Sequence, residues 1–333
     1  MIYVMSDIHG RIDLFNQMLD KINLQKGDKL YILGDCIDRG GGLEVLLKIM
    51  ELHKNGLCDF LWGNHEYMFC TNYAYHLDNN TIADYERSVL KLSIFDESKK
   101  ITRNPENSFE LLYNLFHATK KLFKTIENNS IIKELQSKIN NSICITRFCS
   151  NAEEWETFKD INDLSSEEKS EVFDFLMNHA IPDEKYIEVG EKSYLLLHGG
   201  LCDDLKNGEI PIEQLYVRDE FYRNPVNKEI LKKRGYKEDT VVVFGHTTTR
   251  DINICMNGTY VAPSKIWYDL EHKDKIGIDC GASFPNGQLA CLRLDDMQEF
   301  YEKNEQNSIV SIEKIGNILR EFKELENYYV MEE

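Results

Sequence analysis

Five short apolar runs in this chain each lead straight into a glycine set beside an aspartate, an asparagine or a histidine. Ile2-Tyr3-Val4-Met5 runs into Ser6-Asp7-Ile8-His9-Gly10, and Leu30-Tyr31-Ile32-Leu33 into Gly34-Asp35-Cys36-Ile37-Asp38-Arg39-Gly40. Asp59-Phe60-Leu61-Trp62 runs into Gly63-Asn64-His65-Glu66, Ser193-Tyr194-Leu195-Leu196-Leu197 into His198-Gly199-Gly200, and Thr240-Val241-Val242-Val243-Phe244 into Gly245-His246-Thr247. Short apolar runs closed by turn residues read as buried strands. Taken singly, Asp35, Asp38 and Arg39 after such a run are also what a polar turn with an Asp–Arg pair looks like. Five repetitions are a pattern. Strand ends that gather ligand-type side chains are where open α/β sheets bind their ligands.

The segments between the runs fit that reading. Leu14, Met18, Leu19 and Ile22 predict a helix over about 11–23. Leu43, Leu46, Leu47, Met50 and Leu52 predict another over about 43–54, stopped by Asn55-Gly56. Strand, helix, strand, helix, strand over 2–66 is the pattern of parallel βαβ units. From 67 to about 180 the apolar spacing is helical, as in Phe109, Leu112, Tyr113, Leu115 and Phe116, and Pro105 is the one proline. We expect a single domain over 1–333 carrying a mainly helical insertion or cap at about 67–180. Ser165-Ser166-Glu167-Glu168 reads as a helix start. Beyond it we expect a hairpin of 186–189 with 193–197, a helical patch at about 211–223, and strands at 240–245, 259–262, 276–279 and 288–294. A charged helix at about 309–327 closes the chain.

A formal net charge of −18 repels nucleic acid and anionic membranes at long range. It does not exclude an anionic substrate, because bound metal ions dominate their local field. Nine cysteines, with no C-x-x-C pair, argue against a disulfide framework or a zinc knuckle and for a reducing compartment. No stretch has the length of a membrane span and Asp7 comes too early for a signal peptide, so we expect a cytoplasmic protein without membrane or nucleic-acid partners. Oligomeric state leaves no mark in the sequence.

The strand-end residues suggest a chemistry. Asp7 and His9, two apart at a strand end, are expected to face one way and hold one ion. Asp35 can bridge two ions with its two oxygens, and Asn64, His198 and His246 add O and N donors. A mixed Asp, His and Asn set without thiolate suits manganese, iron or zinc. Two divalent ions in such a set point to in-line displacement at phosphorus. Arg39 then offers a planar fork to phosphate oxygens. His65 can protonate the leaving oxygen, with Asp38 orienting it. Arg218 is a second candidate for the phosphate, although Arg218-Asp219 reads equally well as a helix ion pair. His53, His76, His117, His179 and His272 show no such context.

Asp7-Ile8-His9-Gly10, Gly34-Asp35-x-x-Asp38-Arg39-Gly40, Gly63-Asn64-His65-Glu66, His198-Gly199 and Gly245-His246 resemble the motif series of the phosphoprotein phosphatase branch of the calcineurin-like metallophosphoesterases. The resemblance covers about 1–66 and 185–295. It implies an α/β sandwich of two mixed β-sheets flanked by helices. It implies a first metal on Asp7, His9 and Asp35, and a second on Asp35, Asn64, His198 and His246, manganese before iron or zinc. His65 with Asp38 would be the acid pair, and Arg39 with Arg218 the phosphate clamp. Tyr216-Val217-Arg218-Asp219-Glu220-Phe221 resembles the arginine-bearing segment of bacterial-type members. Two features depart from compact members: the long gap between Asn64 and His198, and Phe284 near where some protein phosphatases place a tyrosine.

The function expected on these grounds is hydrolysis of phosphomonoesters, phosphoserine or phosphothreonine in proteins first, by in-line attack of a dimetal-bound hydroxide. A symmetrical diadenosine-tetraphosphate hydrolase shares the same motifs. A non-catalytic scaffold of the same fold is the third reading, against which the intact ligand set argues.

Overall fold

The computed structural model describes residues 1–70, 155–202, 212–258, 262–284 and 286–305. Most of these fall in one compact unit, Met1–Tyr67 with Asp160–Asn307. Most of the expected insertion, all but the last residue of the expected strand at 259–262, and the expected helix at 309–327 lie outside the described residues.

Two five-stranded mixed sheets carry this unit. The first has the order β10-β9-β1-β2-β3, with β1 Ile2–Met5, β2 Lys29–Leu33, β3 Cys58–Leu61, β9 Gln288–Arg293 and β10 Gln298–Lys303. The second has the order β4-β5-β6-β8-β7, with β4 Glu184–Val189, β5 Lys192–Leu197, β6 Val241–Phe244, β7 Trp267–Tyr268 and β8 Lys275–Gly277. In each, three adjacent strands run parallel: β1, β2 and β3 in one, with β3 at its edge, and β5, β6 and β8 at the centre of the other. Antiparallel strands complete them: β9 and β10 together on one side of the first sheet, and β4 and β7 at the two edges of the second.

Strand periodicity decides which side chain meets which layer. Val4, Tyr31, Leu33 and Leu61 of the first sheet meet Tyr194, Leu196, Val243 and Ile276 of the second in one buried cluster. The residues between them point the other way: Leu195, Leu197, Val242 and Phe244 pack under Phe221, Tyr222, Ile230, Leu231 and Ile252. The first sheet is covered likewise. Helix α1 (Ile12–Ile22) buries Leu14, Phe15, Met18 and Ile22. Helix α2 (Glu44–Lys54) buries Val45, Leu46, Ile49 and Leu52. Burying one such aliphatic side chain fully is worth about 1.5–3 kcal/mol, so these faces hold the strand ends rigidly.

The expected helices at 11–23 and 43–54 and the 186–197 hairpin form within a residue or two of the expected bounds. Ser165 caps the helix Ser166–Asp174 with a full capping box to Glu168. The patch at 211–223 is two short helices, Ile212–Tyr216 and Asp219–Tyr222. Four described elements went unread, the two-residue strand β7 among them. Strand β10 is a polar edge strand paired on one side only. Lys228–Lys233 is short and charged, started by the Asn227 side chain. Thr249–Asn257 has few strong helix formers and is held by Thr248 at its start and the left-handed Gly258 at its end. No described helix is long and apolar enough to cross a membrane.

Candidate metal centre

The loops after β1, β2, β3, β5 and β6 meet beyond the carboxyl ends of both sheets. Asp7 N donates to Gly34 O at 3.1 Å, His9 N to Asp35 O at 2.9 Å, and Gly245 N to His198 O at 2.8 Å. These bonds, and not strand alternation, bring Asp7 and His9 to the site: β1 has ended at Met5, and both residues are left-handed, with φ 53° and 49°. Asp35, Asp38, Arg39 and His246 are left-handed too, at 53°, 68°, 63° and 62°. Non-glycine residues adopt this region at a cost, and such strain gathers where a surrounding structure holds a functional geometry in place. Close backbone approach sets the rest. A Cβ on Gly63 would strike the backbone N and a carboxylate oxygen of Asp35, and one on Gly245 would strike Ser6 Oγ and Asp7 Oδ2.

Every candidate from the sequence stands in this cluster, all but the two arginines buried. Asp35 is central. Its Oδ2 is 3.6 Å from His9 Nε2 and 3.9 Å from His65 Nε2, and its Oδ1 is 3.4 Å from His198 Nε2. Asp7 Oδ1 is 3.8 Å from His9 Nε2, while its Oδ2 accepts from Ser6 Oγ and from His246 N at 2.9 Å. Asn64 Oδ1 is 3.0 Å from His198 Nε2. The other ring nitrogens are tied down: His9 Nδ1 lies 3.1 Å from Ile37 O, and His198 Nδ1 2.6 Å from Leu33 O. A carbonyl on one nitrogen fixes the tautomer that leaves the other as a ligand. Two groups close enough to share an ion result, His9 with Asp35 and His65, and Asp35 with His198 and His246. A third, Asp269, His272 and Asp274, is closed by Lys275, whose Nζ reaches Asp269 at 2.9 Å and Asp274 at 2.6 Å.

The donor set fits a divalent pair on one observation above others. His246 Nε2 is buried with no hydrogen-bond partner among the described residues, and a buried unpaired polar atom is costly unless something coordinates it. Charge agrees. Burial, then the Asp35 carboxylate, pushes Asp7 up to about 7. Burial works against an ionised Asp35, but His198, His65, His9 and His246 around it outweigh that and hold its carboxyl below the usual range. Burial, then Arg39, holds His9 well below an ordinary histidine, and burial, then His198, does the same to His246. Neutral imidazoles beside carboxylates are ligands in waiting.

His65 is different. Its Nδ1 is 2.7 Å from Asp38 Oδ2. Burial disfavours its charged form, yet the Asp35 carboxylate and the Asp38 hydrogen bond together raise its pKa. Arg39 Nη1 lies 2.9 Å from His9 Nε2, and Arg218 Nη1 donates to His246 O at 2.8 Å and Thr247 Oγ1 at 3.3 Å.

Three residues escaped the sequence reading. Glu66, fully buried, accepts from the backbone N–H groups of Asp35 and Gly63 at 2.9 Å and of Cys36 at 2.8 Å, and so ties the ends of β2 and β3 together. Ser6 bonds both Asp7 and Leu33 O. Asp279 is buried, and that burial, then Asp7, raises its pKa well above the carboxylate range. Glu66 stood inside a recognised motif, but nothing in the spacing marked it as a backbone acceptor.

Two mixed parallel-centred sheets with helices on their outer faces, joined by a cluster of Asp, Asn and His at the strand ends, define a metallophosphoesterase-type sandwich. The chain belongs to the calcineurin-like phosphoesterase family, whose model matches residues 1–278; the reaction of that family is phosphoester hydrolysis with metal ions. A 74-residue stretch is 42% identical to the symmetrical bis(5'-nucleosyl)-tetraphosphatase of Wigglesworthia glossinidia brevipalpis, over 22% of this chain and 26% of that protein. A 65-residue stretch is 37% identical to the protein of the same name from Haemophilus ducreyi, over 19% of this chain and 24% of that one. The matched stretches thus span about a quarter of each relative's length. The crystal structure of a metallophosphoesterase from Sphaerobacter thermophilus aligns over 96% of this chain and 93% of its own at 13% identity, with a TM-score of 0.40.

Proposed function

We propose that the protein hydrolyses phosphate esters with two divalent metal ions. The observation that carries this reading is the arrangement of Asp35: one oxygen faces His9, the other His198, and the orphaned His246 Nε2 lies in the second set. Asp7, His9 and Asp35 would hold one ion, and Asp35, Asn64, His198 and His246 the other. A divalent pair, manganese in our reading, supplies Lewis acidity, which polarises phosphoryl oxygens and makes water a nucleophile near neutral pH.

The chain's own residues supply the rest. His65, kept protonated by Asp35 and Asp38, gives its Nε2 proton to the leaving oxygen. Arg39 and Arg218 take the non-bridging oxygens. A His9 Nε2 given to an ion would no longer meet Arg39 Nη1. A single domain over 1–333, with a mainly helical insertion or cap at about 67–180, is part of the same proposal.

Two substrate classes fit. Phosphoserine or phosphothreonine in a protein is the reading that the motifs suggest. A dinucleoside polyphosphate is favoured by a specific observation, the name shared by both curated relatives. Phosphate release by manganese-loaded protein from a phosphothreonine peptide and from diadenosine tetraphosphate, assayed side by side, separates them. Release from either supports the hydrolase reading and the preference names the class. Release from neither, nor from p-nitrophenyl phosphate, overturns it.

A further inference from the structure

Arg218 is an exposed residue between two short helices, Ile212–Tyr216 and Asp219–Tyr222. Its Nη1 is spent on His246 O and Thr247 Oγ1, which leaves Nη2 and Nε for an anion. A long side chain keeps such a direction only if the backbone beneath it is held. Helices of five and four residues cannot hold themselves, being far below the length at which a helix persists alone. Two cations sunk into the fold hold this stretch, one on each side of Arg218. Their side chains are 10% and 0% exposed.

Arg234 serves the side before Arg218. Its Nη1 donates to Glu184 and, at 3.2 Å, to Gln214 Oε1, while its Nη2 donates to Cys202 O. Gln214 is buried in the helix Ile212–Tyr216, and its own Nε2 donates to Glu184 at 3.2 Å. Tyr236 OH donates to the same carboxylate at 2.9 Å. One guanidinium therefore joins that helix to the loop after His198, where Gly200 N also donates to Gln214 O at 3.1 Å.

Lys275 serves the side beyond Arg218. Its Nζ donates to Asp274 Oδ1 at 2.6 Å and to Asn224 O at 2.7 Å, and lies 2.9 Å from Asp269 Oδ2. Asp274 Oδ2 accepts from Val226 N at 2.7 Å, so two points of the chain after Tyr222 are pinned to the start of β8. The same Nζ is 5.9 Å from the centroid of the Phe221 ring, which packs edge-on against Phe244, the last residue of β6. Phe221 N and Tyr222 N in turn donate to Arg218 O at 2.9 and 3.3 Å. Burying an ammonium is costly even when it is paired. Glu184 answers Arg234, and Asp269 and Asp274 answer Lys275, so neither cation brings an unmatched charge to an anion. What they supply is place.

We propose that Arg234 and Lys275 are positioning residues for Arg218, and that through it they set the affinity of the site for a phosphate group. This rests on the assignment of Arg218 to phosphate made above.

Calorimetric titration of the manganese-loaded full chain with orthophosphate tests it as a double-mutant cycle. Arg218→Ala is expected to weaken phosphate about tenfold, roughly one charge-assisted contact. Arg234→Lys keeps the charge and loses the fork. It and Lys275→Met should each weaken phosphate about threefold or more, the cost of ordering a side chain that is no longer held. Neither should weaken it further once residue 218 is alanine. A variant that lowers the denaturation midpoint but leaves the affinity unchanged, or that weakens phosphate by the same factor in both backgrounds, overturns the positioning role of that residue. Should Lys275→Met not fold, Arg234→Lys decides. An Arg218→Ala variant that binds phosphate like the wild type overturns the proposal at its premise. Failure of the hydrolase reading looks different: no metal-dependent phosphate release by the wild type, with the binding cycle intact.

Discussion

Asp35 presents its two oxygens to different neighbours, so losing one of them is felt on both sides. Asp35→Asn keeps the shape and removes the charge that four imidazoles surround. We expect the metal content of the purified protein to fall from two ions per chain to one or none; unchanged content would remove Asp35 from the bridging position. His65 poses a sharper question, because its Nε2 is 3.9 Å from Asp35 Oδ2, within reach of the same ion as His9. If it is the acid, His65→Asn lowers turnover by about 10²–10⁴-fold with metal content intact. If metal is lost along with turnover, His65 is a ligand and the acid must be sought elsewhere.

At the scale of the element, the site depends on how closely strand ends can approach. Gly63→Ala places a methyl group on Asp35. The β2 and β3 ends must then part, at about 1–3 kcal/mol, the usual cost of overpacking. A lower denaturation midpoint together with weaker manganese binding is the expected pair of results; a change in stability alone would mean the donors do not rely on that approach. Glu66 acts on the same two ends. Glu66→Gln puts an amide N–H group against one of three backbone donors, and a buried donor left unpaired costs about 1–3 kcal/mol. Urea denaturation of this variant, with unchanged m-value, should report a loss of that size.

For the whole molecule, donors from both sheets make metal binding and folding one equilibrium. Asp7 gives it a sign. Its pKa is raised to about 7 from an ordinary 3.8, so in the metal-free protein its contribution is fully present below about 4 and is lost as pH rises through 7. Metal needs the ionised form and works in the opposite direction. The rise in melting temperature on adding manganese should therefore be small at pH 5.5 and grow towards pH 8. At a hundredfold excess over Kd, one ion adds about 2.7 kcal/mol. A shift independent of pH over that range would remove Asp7 from the ligand set.

Much of this was legible because apolar runs and the residues that close them are local signals. The central strands, the helices α1 and α2, and nine of the ten candidate residues could be named from spacing alone; Arg218 stood level with a helix ion pair until the family resemblance favoured it. What resisted was whatever lacks a local signal. Strand β10 is polar because it is half-exposed at an edge, and Thr249–Asn257 is a helix by virtue of its caps. The sequence by itself determined which chemical groups the site contains and that they end strands. Only the tertiary structure decided how they face one another. Left-handed turns, rather than strand alternation, bring Asp7 and His9 to Asp35, Glu66 ties the ends of β2 and β3, and Lys275 holds the chain beyond Arg218. These are contacts between distant parts of the chain, and their energies come from close approach, burial and charge, none of which exists until the two sheets have packed.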